Sequence, residues 1–407
     1  MTSLLRMDHR HTAALALALT SLTLAACGSD DETVATAPAP VVTEPAGGAT
    51  PPDAEMLAVA TTYADIVTAS YDASITSATE LKAAIDTFVA DPTDATLQAA
   101  KDQWLAARDD YGPTEAFRLY DGPIDAPETG PEGQINAWPL DEAYIDYVKD
   151  DPAAGIINNV TEFPEITVDV LTGANEQGGE ANISTGWHAI EFLLWGQDFD
   201  PAGPGTRPVT DYTTAENADR RGEYLTLLSQ LLIDDLTFVN DQWKPDTGAY
   251  RTEFLADPKG AITKMFRGIG ALSSGELAGE RMNVAFETKD QEDEHSCFSD
   301  NTNADIRNNA AGIRMVYLAD SQGITGPSLS NLVAAVDPAL DTKIKTELDT
   351  SVELASNLPA TFEQMIQADS TDPINQAFLA AIESIEGQGD DLAAAAAALG
   401  ISISIEV

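Results

Sequence analysis

The stretch Gly186-Trp187-His188-Ala189-Ile190-Glu191-Phe192-Leu193-Leu194-Trp195-Gly196-Gln197-Asp198 decides how this chain is read. It reads as a short helix opening near Ser184, with Ser184 and Thr185 as candidate caps and Gly196 as the C-terminal stop. His188 and Glu191 stand three apart and share a helix face. Ile190, Phe192, Leu193, Leu194 and Trp195 cover most of the remaining circumference, which makes this a buried helix. A buried His and Glu must each find a partner, because an unpaired buried charge is expensive. Either the two bond to each other, or together they hold a cation.

Outward from this helix the apolar residues keep a helical period. Leu57, Tyr63, Ile66, Val67, Tyr71, Leu81, Ile85 and Phe88 form one run, which Asp91-Pro92 breaks. Residues 93–108 form a second helix and 215–240 a long amphipathic one. Residues 261–286 form another, which carries Gly275-Glu276-Leu277-Ala278-Gly279-Glu280-Arg281-Met282. The glycines there cost helix propensity and call for a close helix approach. Residues 304–318, 332–358 and 374–399 complete the set, while 121–139 is a long Gly/Pro-rich excursion. Strand signals are nearly absent, with only the terminal Ile401-Ser402-Ile403-Ser404-Ile405 alternating. The expected fold class is all-α, with the body at 53–407.

Of 407 residues, 67 are acidic and 21 basic, a formal net charge of -46. That argues against nucleic acid or an anionic membrane surface as a partner, and suits cations. Residues 1–26 read as an export signal: Arg6 and Arg10 precede an apolar core from Ala13 to Leu24. The ending Leu24-Ala25-Ala26-Cys27 resembles a bacterial lipobox, which implies lipid on Cys27. With Gly28 next, the expected location is the outer membrane facing the periplasm. Residues 27–52 read as a flexible tether. His9 and His11 leave with the signal, so the mature chain keeps His188 and His295 alone.

The Gly186, His188, Glu191 spacing matches the GxHxxE signature of the imelysin family, and the surrounding wording resembles its iron-regulated protein A branch. Three further segments agree: Tyr111 to Arg118 with Gly122 to Asp125, Gly275 to Met282, and Asp290 to Asn301. The resemblance implies two helical-bundle halves, drawn as 53–200 plus the C-terminal helices and as 201–400. It places the GxHxxE site in the cleft between them, with a metal-site role for His188 and Glu191. It also implies a tie to bacterial iron uptake and a metallopeptidase classification.

Iron accepts carboxylate oxygens alongside imidazole, which suits a chain rich in Asp and Glu and poor in His. The expected metal ligands are His188, Glu191 and Glu115, with Trp187, Glu280, Arg281, Asp293 and His295 as further cleft residues. A salt bridge to Arg118 is the competing role for Glu115, and Arg281 is suited to hold a carboxylate. A zinc peptidase needs an open coordination position and a general base. No HExxH occurs, and Phe192 stands where an HxxEH would place its second histidine. Peptidase activity is therefore the second reading. Haem binding, with Trp187 and Trp195 stacking on the ligand, or a structural adaptor role, comes third. The expected ligand is iron or chelated iron, passed to a transporter that the sequence does not specify.

Overall fold

The computed structural model describes residues 50–405. The export signal, Cys27 and most of the tether lie outside the described residues. Eight α-helices of ten residues or more carry the body: α1 (Asp53–Ala90), α2 (Asp94–Tyr111), α3 (Gly186–Trp195), α4 (Ala218–Trp243), α5 (Pro258–Ala271), α6 (Thr302–Leu318), α7 (Pro338–Ser356) and α8 (Pro373–Ala398). Among the described residues the only sheet is a two-stranded hairpin, Asp320–Ser321 with Ile324–Thr325. The terminal isoleucines form no strand. No described helix is long and apolar enough to cross a membrane.

α1 begins at Asp53 with Asp53 and Glu55 in its first turn, where the helix dipole favours negative charge. It ends at Asp91, ahead of Pro92. α2 opens on a capping box in which Thr93 and Thr96 satisfy each other's backbone N–H groups. α1 packs on α2 and α4, and α3 packs on α2 and α4. A second group joins α5, α6, α7 and α8. α1 against α5, and a 3-10 turn (Gly112–Phe117) against α6, link the two groups. α4 packs with α1, and the C-terminal α8 packs on α5, α7 and the segment after α5.

The expected helix 261–286 is three pieces. α5 runs into a π-helical segment (Leu272–Asn283), and a short α-helix (Val284–Thr288) follows. Gly389 of α8 explains part of this: a Cβ there would sit 2.8 Å from Ser274 Cβ, so α8 and the π segment approach closely. Widened helical turns of this kind re-aim side chains at functional sites.

All ten residues of α3 are buried. Its start owes nothing to a side-chain cap. Thr185 Oγ1 donates to Asn175 Oδ1 at 3.2 Å, and Ser184 Oγ donates to Leu171 O at 2.8 Å, so both hydroxyls tie down the segment that enters the helix instead. Its end is held from outside. Gly196 turns with φ 73°, Arg207 N–H donates to Trp195 O at 2.7 Å, and Tyr212 O–H donates to Leu193 O at 2.6 Å. These donors take the last carbonyls, which the helix itself leaves unpaired.

Candidate functional site

Gly186 fixes where the site forms. Its φ of 87° lies in the region that favours glycine, and a Cβ would stand 2.5 Å from Ile135 O. The glycine thus lets the segment 134–138 press directly on α3. That segment delivers Asn136 and Trp138.

One turn into α3, His188 Nδ1 meets Glu191 Oε2 at 2.9 Å. The other oxygen, Glu191 Oε1, accepts from Ser299 N–H at 3.0 Å and Ser299 O–H at 2.7 Å. His295 arrives from the loop before α6, its ring centroid 4.7 Å from that of His188 and nearly perpendicular to it. Trp138 lies against both, at 4.9 Å and 6.1 Å. His295 Nδ1 faces Asp305 Oδ2 at 3.5 Å. Asp305 in turn accepts from Ser296 Oγ and from Arg108 Nη2 at 2.9 Å. Each imidazole therefore has a carboxylate behind its Nδ1, the arrangement that orients an imidazole to present Nε2. His188 Nε2 is buried and has no hydrogen-bond partner.

Burial pushes the Glu191 carboxyl up to about 8, against the pull of the Ser299 hydrogen bonds, with Asp305 adding to the rise. Burial, His295 and Arg108 hold the His188 imidazole well below its ordinary range. Both shifts favour the uncharged forms of the pair. A cation on Nε2 therefore competes with a proton for the pair.

Glu115 sits apart in a cage of donors. Arg281 Nη2 reaches its Oε2 at 2.6 Å, Arg118 at 3.1 Å and Asn136 Nδ2 at 3.3 Å, while Asn309 Nδ2 reaches Oε1 at 3.3 Å. Burial raises this carboxyl, but Arg281, His295, Arg118 and Arg108 together hold it below the usual carboxylate range. The sequence-based ligand set is therefore not one cluster. His188 and Glu191 bond to each other, and both oxygens of Glu115 face nitrogen donors. Trp187 is also placed elsewhere. It is fully buried against Trp104 and Tyr111, a core position, and Trp138 is the aromatic of the cleft.

The cleft is a cavity of about 470 Å³ whose wall includes Trp138, His295, Arg118 and Arg281. Six carboxylates line it: Glu132, Glu176, Glu180, Glu276, Glu280 and Asp293. Both arginines are already committed to acids, with Arg118 bound to Glu132 at 3.0 Å and Arg281 to Glu276 at 2.9 Å. The expected cleft residues Glu280, Arg281, Asp293 and His295 are all on this wall. His188 lies one layer deeper, behind His295 and Trp138. Arg108, Asn136, Trp138, Ser299 and Asp305 went unassigned in the sequence, because each comes from a segment distant from α3 and carries no local spacing signal.

An all-helical body with an acid-lined cleft over a histidine pair defines the class. The chain belongs to the imelysin family, whose model (Peptidase_M75) matches residues 67–391. It is 26% identical over 310 residues to iron-regulated protein A of Synechococcus elongatus, covering 73% of this chain and 74% of that one. Two crystal structures share the fold. One, from Parabacteroides distasonis ATCC 8503, is provisionally described as an iron-regulated protein A precursor. It has TM-score 0.66 and 21% identity, covering 86% of this chain and 97% of that one. The other is an imelysin-like protein from Psychrobacter arcticum 273-4, with TM-score 0.62 and 14% identity, covering 88% and 99%.

Proposed function

We propose that this chain binds iron, or an iron complex, in bacterial iron uptake, and that His188 and His295 supply the nitrogen ligands. In this reading Cys27 carries the lipid that anchors the body to the outer membrane, facing the periplasm. The observation that carries the proposal is the meeting of the two histidines of residues 50–405, each backed by a carboxylate, with His188 Nε2 buried and unpartnered. A relative named iron-regulated protein A supports the choice of metal. The four cleft carboxylates not bound to an arginine, Glu176, Glu180, Glu280 and Asp293, would concentrate cations at the mouth. Glu191 acts in this reading as the group that orients His188, rather than as a ligand beside it.

The test is titration of the metal-stripped protein with Fe(II), Fe(III), Zn(II) and haem, alongside His188→Ala and His295→Ala. Saturable iron binding at one site, weakened at least tenfold by either substitution while helix content is retained, is the expected result. Iron affinity unchanged in both variants overturns the reading. The histidine pair also suits zinc, which keeps the metallopeptidase reading as the second one. That reading needs a free general base, and Glu191 is held by Ser299 and His188. Tight zinc binding with cleavage of a peptide would favour it.

A further inference from the structure

A second group of acids lies behind the loop that carries His295 and Ser299. Asp198 follows the end of α3, Asp300 stands two residues before α6, and Glu363 is in the first turn of a short helix (Phe362–Gln367). One carboxylate oxygen from each lies within 4.8 Å of the other two, the only such three-residue group among the described residues. A fourth acid, Glu294, meets Glu363 at hydrogen-bonding range.

Acidic clusters are common on surfaces and mean little by themselves. Here Glu294 is 0% exposed and Glu363 2%. No donor of good hydrogen-bond geometry reaches either Glu294 oxygen, Glu363 Oε2 or Asp300 Oδ1; Thr302 stands close to Glu294, and Glu363 faces both Glu294 and Asp300 as acid against acid. Asp198 receives the Gln291 amide at 2.9 Å together with the backbone N–H groups of Asp200, at 2.9 Å, and Phe199, and Glu363 receives the Gln291 amide at 3.5 Å. No lysine or arginine among the described residues pairs with any of the four, whereas the buried acids Glu115, Asp146 and Asp305 are each matched by arginine. Four acids brought together without a countercharge are costly unless they share protons or hold a cation.

We infer that Asp198, Asp300 and Glu363, supported by Glu294, form a site for a hard divalent cation of the calcium type, distinct from the histidine pair. All donors are oxygens, which excludes a preference for soft metals. Calcium takes oxygens at roughly 2.3–2.6 Å, so ligands around one ion stand up to about 5 Å apart, matching the observed spread. Asn303, in the first turn of α6, has a buried Oδ1 without a partner, and its Nδ2 donates to Ala360 O at 2.8 Å beside the Glu363 segment. The ion would tie the exit of α3, the 294–300 loop and the Phe362–Gln367 helix together. Asp300 adjoins Ser299, which holds Glu191, and Glu294 adjoins His295. The site therefore acts as a clasp that sets both histidine supports.

The test uses the full chain, stripped with chelator, in about 150 mM salt to suppress diffuse binding to the acidic surface. Ca(II) is titrated by calorimetry and its effect on thermal unfolding recorded, for the native protein and for Asp300→Asn with Glu363→Gln. The expected result is one saturable calcium that raises the unfolding temperature of the native protein. The double variant binds calcium at least tenfold more weakly, yet unfolds in chelator at the native temperature or above, because neutral amides relieve the repulsion. A native protein whose unfolding temperature does not respond to Ca(II), or a double variant that keeps the full response, overturns the inference. In the first case the acids share protons only; in the second the calcium is bound elsewhere.

Discussion

Replacing Gly186 by alanine tests how α3 and its site are set, and the size of the effect follows from the structure. The residue has φ 87°, where a Cβ costs about 1–2 kcal/mol. That Cβ would also stand 2.5 Å from Ile135 O and 2.8 Å from Gln134 O, both backbone atoms that no rotamer change can move. Relieving such a clash by backbone shift costs about 1–3 kcal/mol. The sum is about 3 kcal/mol. For residues 50–405, an unfolding entropy of about 2.1 cal/mol/K per residue converts this to a fall of about 4 °C in Tm. The displaced segment carries Trp138, so its contact with His188 at 4.9 Å should loosen and iron affinity should fall with stability. Differential scanning calorimetry with tryptophan fluorescence measures both. Gly173→Ala is the control. It stands in a short helix (Val168–Ala174) with nothing within 4 Å of its Cβ position, and should be neutral or slightly stabilising. A Gly186→Ala protein within 1 °C of the native Tm would refute the argument that close approach of 134–138 requires this glycine.

Three further outcomes are expected. Ser299→Ala removes the 2.7 Å hydroxyl donor from Glu191 and leaves the backbone N–H, so iron affinity should drop about 10- to 100-fold with little loss of helix, as read by metal titration and circular dichroism. Iron affinity should rise with pH up to about 8, because the His188–Glu191 pair must give up a proton; a profile flat between pH 5 and 8 would place the metal elsewhere. Glu115 and Asp305 are both held below the ordinary carboxylate range against the opposing effect of burial. Their stabilisation is therefore complete above an unfolded pKa of about 4 and lost as pH falls below it. Acid unfolding should steepen there, and Arg281→Met, which leaves Glu115 short of its nearest countercharge, should cost about 3–5 kcal/mol in denaturant unfolding at pH 7.

Much of the scaffold was legible because its signals are local. The Asp53 start of α1, its stop before Pro92 and the Gly196 stop of α3 each rest on one or two residues acting on their own backbone. The His188–Glu191 contact followed from helical spacing alone. The π-helical turn at 272–283 was not legible as such. Its glycines called for a close helix approach, but the widened turns depend on how α8 packs against it. The partners of the site were hidden for the same reason. Ser299 reaches Glu191, and Asp305 reaches His295, only because the loop before α6 folds back over α3. The chain's own composition held one usable clue: with only two histidines among the described residues, their meeting required only that the fold close on the Gly186–Gln197 segment.

The central claim is that His188 and His295 bind iron together. X-ray absorption at the iron edge of the iron-loaded protein tests it most directly. The account predicts outer-shell imidazole scattering from two histidines, falling to one in either single alanine variant. A first shell of oxygens alone, unchanged when both histidines are replaced, would contradict it.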